Sequence, residues 1–354
     1  MTTSTNKTDI KDLTRKQLAS WLEEHDIEPY RAGQILKWIY NRQADTFDIM
    51  TDLGKEIREL LSLNFTINRL DIIQIETSQD GSKKYLFKLE DGKFIESVLI
   101  PERDYYTLCI SSQVGCAQGC RFCLTAKGGF IRNLSKNEIV SQVRDVLKDL
   151  IGSKHITNIV FMGMGEPLAN FQNVVEAIDT ITDADSGLGF SNRRVTVSTA
   201  GLVSKLLSLG NETKINLAVS LNATDNRTRD FLMPVNKKYP IEELLDACRK
   251  YNLRPGGKIT FEYILMKGVN DSAEDANRLA ELLKGIRSKI NLIPFNEYEG
   301  SDFRRPEESV INNFREIPNR KGYTVIIRHS KGQDISAACG QLSANRLSHE
   351  QLIK

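Results

Sequence analysis

"GCAQGCRFC", residues 115–123, places Cys116, Cys120 and Cys123 in a C-x3-C-x2-C run. Three thiolates on one short loop suit a [4Fe-4S] cluster with one open iron, because clusters that only carry electrons are normally closed by four cysteines. An open iron calls for a chelating ligand. Gly115 and Gly119 would relieve the backbone where it wraps such a group. Structural zinc is the alternative: it closes at four ligands, and a distant Cys109, Cys248, Cys339 or His155 would complete the site.

The cysteine run follows the strand-like "YTLCIS" and precedes the helical pattern "NEIVSQVRDVLKDLI". The same alternation continues through "ITNIVFMG" and "NFQNVVEAIDTI", "RRVTVST" and "LVSKLLSL", "INLAVSL" and "IEELLDACRKY". It then runs through "ITFEYILM" and "AEDANRLAELLKGI", "KINLIPF" and "SVINNFREIP", and closes on "YTVIIRH". Parallel strands joined by crossover helices follow from this pattern. Six βα units and a seventh strand fall short of an eight-fold barrel. Residues 105–342 are therefore expected to form an α/β core built as a partial (β/α)6 barrel, with an open doubly wound sheet as the second choice.

Upstream, Thr14 and Gln17 form a capping box before "LASWLEEH", and Ile35, Trp38 and Ile39 make an apolar stripe, so residues 12–65 read as a small helical unit within an accessory domain at 1–66. "RLDIIQIET", "KKYLFKLE" and "KFIESVLIP" are separated by Asp80-Gly81 and Asp91-Gly92, strong hairpin signals, and predict a β-meander extension over 67–104. Residues 343–354 read as a frayed tail.

A chain of 354 residues with net charge +2 is an ordinary globular protein whose charge says little about partners. The polar start lacks an apolar h-region, and no apolar run approaches the ~20 residues that span a bilayer, so no membrane association and a cytosolic location are expected. There the six cysteines would stay reduced, as ligands, redox groups or packing residues. The basic pairs Lys83-Lys84, Arg193-Arg194, Lys237-Lys238 and Arg304-Arg305 would serve a phosphate backbone if folding gathered them, and otherwise read as solvated charge.

Further polar residues fall at strand ends. "FMGMGEP", residues 161–167, brings glycines to the place where a parallel sheet presents ligands, and Glu166 offers a carboxylate to an ammonium group. Ser198, Ser220, Asn222 and Asn296 occupy comparable places. Taken singly, each reads better as a cap or turn residue.

Together these motifs resemble the radical S-adenosylmethionine (SAM) superfamily, and within it the RNA adenine-C2 methyltransferases of the RlmN family, with the C8-methylating relatives next. The pattern covers residue 14 to about 342 and includes "ISSQVGCAQGCRFCLT", "FMGMGEPLAN", "LMPVN", "GVND" and "ISAACGQL". The resemblance implies that Cys116, Cys120 and Cys123 hold the cluster while its open iron chelates SAM. Gly165, Glu166, Ser198, Ser220, Leu221, Asn222 and Asn296 are then placed around SAM. Asn222 departs from the family's usual His, which leaves a side-chain contact there in question.

C2 of adenine, lying between two ring nitrogens, is a poor nucleophile, so polar methyl transfer should fail and a radical route is needed. As the resemblance implies, one SAM methylates Cys339 and a second yields a 5′-deoxyadenosyl radical that takes hydrogen from that methyl group. The carbon then adds to C2. Cys109 resolves the protein–RNA adduct through a transient disulfide with Cys339. Glu96 matches the proton acceptor, and alternation puts it on the strand face of Phe94, Val98 and Ile100, where desolvation would raise its pKa. A solvated edge-strand carboxylate is the other reading. Cys109 and Cys339, taken alone, also read as buried packing residues, and Cys248, in the helix "LLDACRKY", is read as one.

The implied substrates are 23S rRNA near the peptidyl-transferase centre and the tRNA adenosine 3′ of the anticodon. An external electron donor such as flavodoxin and a monomeric state are expected. A C8 methyltransferase and a zinc-containing RNA-binding protein stay open as alternatives.

Overall fold

A computed structural model of the protein describes residues 7–150 and 154–344, so the expected tail lies outside the described residues from 345 onward. Strand β1 (Thr8–Asp9) pairs in parallel with β2 (Phe65–Thr66) and brackets helices α1 (Arg15–Glu23), α2 (Arg31–Tyr40) and α3 (Lys55–Asn64). Thr14 caps α1 as its sequence predicts: its hydroxyl accepts the Gln17 amide, and the Gln17 side chain returns to the Thr14 amide. Ile35, Leu36 and Ile39 form the buried stripe of α2.

Next come β3 (Asp71–Thr77), β4 (Lys83–Lys88) and β5 (Phe94–Pro101), paired antiparallel. Their turns carry Gly81 and Gly92 at φ of 84° and 77°, the left-handed backbone that an Asp-Gly turn needs. The meander is not a separate layer. β5 pairs antiparallel with β6 (Tyr106–Cys109), the first strand of the core, so one sheet runs through both.

Beyond β6, a ribbon of β7 (Gln113–Gly115) and β8 (Phe130–Asn133) encloses the cysteine run and the short helix α4 (Leu124–Lys127). The core then alternates α5 (Lys136–Asp149), β9 (Ile156–Phe161), α6 (Phe171–Thr182), β10 (Val195–Thr199), α7 (Val203–Glu212) and β11 (Asn216–Ser220). It continues with α8 (Asn226–Leu232), α9 (Ile241–Lys250), β12 (Ile259–Leu265), α10 (Ala273–Leu282), β13 (Ser288–Pro294), α11 (Glu308–Arg320) and β14 (Val325–Ile327).

The ten-stranded sheet has the order β14-β13-β12-β11-β10-β9-β6-β5-β4-β3. From β6 onward, consecutive core strands are parallel neighbours with no reversal of order. A doubly wound sheet would reverse at a switch point, so the barrel-like winding is the correct alternative. Among the described residues no pairing joins β14 to β3, and the barrel stays open.

The helical unit is bolted to this core by Arg144 of α5, which is fully buried. Its guanidinium donates to the Ile39 carbonyl at 3.1 Å, the Ala44 carbonyl at 2.6 Å and Asp45 at 2.8 Å. Arg69 bridges Asp45 and Asp145 at 2.6 Å each. Such a planar fork satisfies several acceptors at once, which an ammonium does not. No described helix is long and apolar enough to cross a membrane.

Candidate functional site

Gly115 begins the cysteine loop at φ 75°, and a Cβ there would sit 1.9 Å from the Gly129 carbonyl oxygen. Its missing side chain lets the Cys116 amide donate to that carbonyl at 2.8 Å, which closes the loop on the ribbon. Cys116 and Cys120 are buried, Cys123 is half-buried, and all three line one pocket at the mouth of the parallel sheet.

Among the described residues, no three His, Cys, Asp or Glu side chains converge closely enough to hold a single metal ion. Three soft thiols spread along a pocket wall instead fit a larger iron–sulfur group. Two of the candidates for a fourth zinc ligand lie badly placed: His155 precedes β9, at the opposite sheet end from the loop, and Cys248 is buried in α9, whereas Cys339 shares the pocket. Burial pushes the Cys116 thiol up to about 12 and Cys120 well above its usual value. Only a bound cation would make these thiols good thiolate ligands.

Across the pocket, Gly165 has φ 101°, and a Cβ there would meet the Gln113 Cβ at 2.5 Å. Gln113 accepts the Glu166 amide at 2.8 Å. The Glu166 carboxylate accepts from Leu168 and Ala200 amides at 3.0 and 2.7 Å, and burial raises its pKa to about 6. Ser198 and Ser220 line the same pocket. Leu221 is fully buried behind them, its amide donating to the Glu262 carbonyl at 3.0 Å.

Asn222 adopts φ 56°, a left-handed conformation that Asn tolerates better than most residues. Its Oδ1 accepts the Ile264 amide at 2.8 Å, so the side chain is spent within the protein. Asn296 holds the Cys339 segment: its Nδ2 donates to the Cys339 carbonyl at 3.3 Å and its Oδ1 accepts from Gln333 at 3.2 Å.

Cys339 lines the pocket together with Cys116, Cys120 and Cys123. It is exposed there, yet the surrounding protein desolvates the thiol and raises its pKa to about 12. The segment that bears it is strapped down by Leu124 N–H to the Gly340 carbonyl at 2.7 Å and by Thr125 hydroxyl to the Leu342 carbonyl at 2.8 Å. Cys109, at the end of β6, is buried close enough for Cys339 to be the charge that most raises its thiol pKa after burial itself. The two do not form the disulfide that the resemblance implies: both are free thiols in this structure. Cys248 packs in the core, with burial raising its thiol to about 12.

Glu96 stands outside this pocket, in a neighbouring polar cavity with Glu76, Lys84, Asp334, Ser336 and Ser343. The solvated edge-strand reading does not hold, because β5 is an interior strand and Glu96 is buried. Burial raises its pKa, and the Lys84 ammonium at 3.5 Å and the Ser343 amide at 2.8 Å pull it back.

Two features of the site carry no sequence motif. Glu262 of β12 lines the pocket and accepts the Ser198 hydroxyl at 2.8 Å and the Ser220 hydroxyl at 3.4 Å. Its only signal was a lone carboxylate within the apolar run "ITFEYILM". Two basic pairs also have internal duties: Lys84 pairs with Glu76 and Glu96, Arg304 donates to the Ser301 and Phe303 carbonyls, and Arg305 pairs with Glu308.

Residues 8–67 match the family model for the ribosomal RNA large subunit methyltransferase N-terminal domain, and residues 110–282 match that of the radical SAM superfamily. The dual-specificity RNA methyltransferase RlmN of Desulfosudis oleivorans is 59% identical over 337 residues, covering 95% of this chain and 91% of that protein. The enzyme of the same name from Geobacter sulfurreducens is 54% identical, covering 94% and 91%. A crystal structure of a radical SAM methyltransferase from Sphaerobacter thermophilus superimposes with a TM-score of 0.89 at 41% identity, covering 95% of this chain and 99% of that one. With its N-terminal unit, its open parallel barrel and its three-cysteine loop all accounted for, the chain belongs to the RlmN family of radical SAM RNA methyltransferases.

Proposed function

We propose that the protein methylates C2 of specific adenines in 23S rRNA and in tRNA, through a carbon carried on Cys339. The observation that carries this reading is the shared pocket of Cys339 with Cys116, Cys120 and Cys123, beside the buried Cys109. When bound, a [4Fe-4S] cluster and SAM would supply the methyl group and the radical chemistry that C2 cannot obtain by polar attack.

Cys116, Cys120 and Cys123 would hold the cluster; Gly165, Glu166, Ser198 and Ser220, which line the same pocket, together with Leu221, Asn222 and Asn296, would surround SAM. Asn222 would contribute backbone rather than side chain, given its bond to Ile264. Cys339 holds the carbon to be transferred. Cys109 acts as the resolving thiol and frees the product. Glu96, kept partly desolvated, takes the C2 proton, which requires the strap across its cavity to shift toward the RNA adduct.

The N-terminal unit supports RNA contact by shape and backbone, and a reducing cytoplasm with an external electron donor suits the thiol chemistry. The protein acts as a monomer. Nucleoside mass spectrometry of rRNA and tRNA from a strain lacking the gene tests the reading: 2-methyladenosine should disappear from both and return with the intact gene. Unchanged 2-methyladenosine in both RNAs would overturn it.

A further inference from the structure

Three side-chain cations are fully buried among the described residues: Lys11, Arg144 and Arg229. Lys11 is answered by Asp9 at 2.7 Å, and Arg144 by Asp45 at 2.8 Å and Asp145 at 3.5 Å. Arg229, on α8, has only neutral partners. Its guanidinium donates to the carbonyls of Leu221 at 3.0 Å, Ala200 at 2.7 Å and Ser220 at 3.2 Å, and to the side-chain oxygen of Asn236 at 3.0 Å. These bonds occupy its donors and leave its charge unanswered. A buried charge without a counter-charge is costly, so its retention calls for an anion that the polypeptide alone does not supply.

The residues that Arg229 holds show where such an anion would lie. Ala200 and Ser220 line the pocket of Cys116, Cys120 and Cys123, whereas Arg229 does not, so the guanidinium stands behind the pocket wall. Leu232, one turn further along α8, belongs with Met233 and Cys120 to one group of packed buried residues, and its carbonyl accepts the Arg121 amide of the cysteine loop at 3.0 Å. The helix that anchors the loop therefore also carries the cation. Glu166 meets Ala200 from the pocket side, accepting its amide at 2.7 Å, and among the described residues forms no ion pair with Arg229. Burial lowers the Arg229 pKa to about 10, which leaves the guanidinium charged at neutral pH, and the charge that most opposes that fall is the Cys120 thiolate, ahead of Cys248 and Asp230.

We propose that Arg229 is the built-in counter-charge of the iron–sulfur cluster, a fixed cation behind the pocket wall that sets the potential at which the cluster accepts an electron. This rests on the cluster reading above. Three thiolates make the bound cluster a net anion, and the single electron taken from the external donor adds one negative charge while no bond forms or breaks. Net charge around a cluster is a main control on its potential. A cation shielded by water would act weakly, and one enclosed by protein acts more strongly.

The test is a potentiometric titration of the anaerobically reconstituted full-length protein without SAM, with titanium(III) citrate as the electron source and electron paramagnetic resonance as the readout. Iron and sulfide contents are measured first. Arg229→Gln removes the charge and keeps a hydrogen-bonding side chain. Its cluster should be about tenfold or more harder to reduce than that of the wild type, a fall of about 59 mV for one electron. Arg229→Lys keeps the charge without the planar fork, and should keep most of the wild-type potential.

Iron uptake by Arg229→Lys but not by Arg229→Gln also supports the proposal, because both variants lack the fork and differ in the charge. An unchanged potential in Arg229→Gln, or an equal fall in both variants, overturns it and leaves Arg229 as a clamp on the strand ends. Failure of both variants to take up iron overturns it in the same way. A wild type that takes up no iron and sulfide removes the cluster reading and this one with it.

Discussion

The carboxylate of Glu96 accepts the backbone amide of Ser343 at 2.8 Å, just beyond Cys339 in the chain. Lys84 reaches the same segment from its other side, donating to the Ile335 carbonyl at 2.7 Å while its ammonium faces Glu96 at 3.5 Å. The candidate proton acceptor, on β5, is thus tied by a hydrogen bond to the segment that bears the candidate carbon carrier.

Burial raises the Glu96 pKa, so folding favours its protonated form. Its contribution to stability is fully present below the unfolded carboxyl pKa and is lost as pH rises through the folded value. Glu96→Gln should therefore match the wild type in acid and melt no lower than it at neutral pH. Product formation should still fall by about 10² or more, the usual worth of a positioned base, while SAM cleavage persists. Thermal scans at two pH values and product analysis check both parts.

Cys120 lies at the buried centre of the loop. Cys120→Ala should lose the iron–sulfur chromophore and SAM cleavage while retaining its circular dichroism spectrum. Iron and sulfide analysis after anaerobic reconstitution is the check, and unchanged iron content would remove Cys120 from the ligand set.

Arg144 is fully buried and holds two carbonyls of the helical unit as well as Asp45. Truncating one partner of such a buried pair costs about 3–5 kcal/mol, so Arg144→Ala should lose that much in urea unfolding. Lysine should rescue little, since it lacks the fork.

Arg193-Arg194 and Lys237-Lys238 remain solvent-exposed. If RNA phosphates meet them, log K should fall with log salt at about 0.7 to 0.9 per phosphate contacted. Replacing Lys237 and Lys238 together with glutamine should flatten the slope accordingly. An unchanged slope would take this pair out of the RNA face.

The legible parts of the sequence were those set by local chemistry. The Thr14–Gln17 box, the Asp-Gly turns and the strand–helix alternation each depend on neighbours a few residues away. The β5–β6 pairing that merges the meander with the core, and the bond from Glu262 to Ser198 two strands away, depend on register across the sheet. No local pattern contains that information. Lys84 shows the same limit: as half of a basic pair it suggests phosphate, yet sheet register turns it toward two carboxylates.

The most direct test of the central claim separates Cys339 from Cys109. Each variant, with its cluster content established first, is given labelled RNA and SAM under anaerobic turnover and run on a denaturing gel. Cys109→Ala should accumulate a covalent protein–RNA species that does not resolve, and Cys339→Ala should form none and methylate nothing. Methylation by Cys339→Ala, or a cluster-replete Cys109→Ala that turns over normally without adduct, would contradict the account.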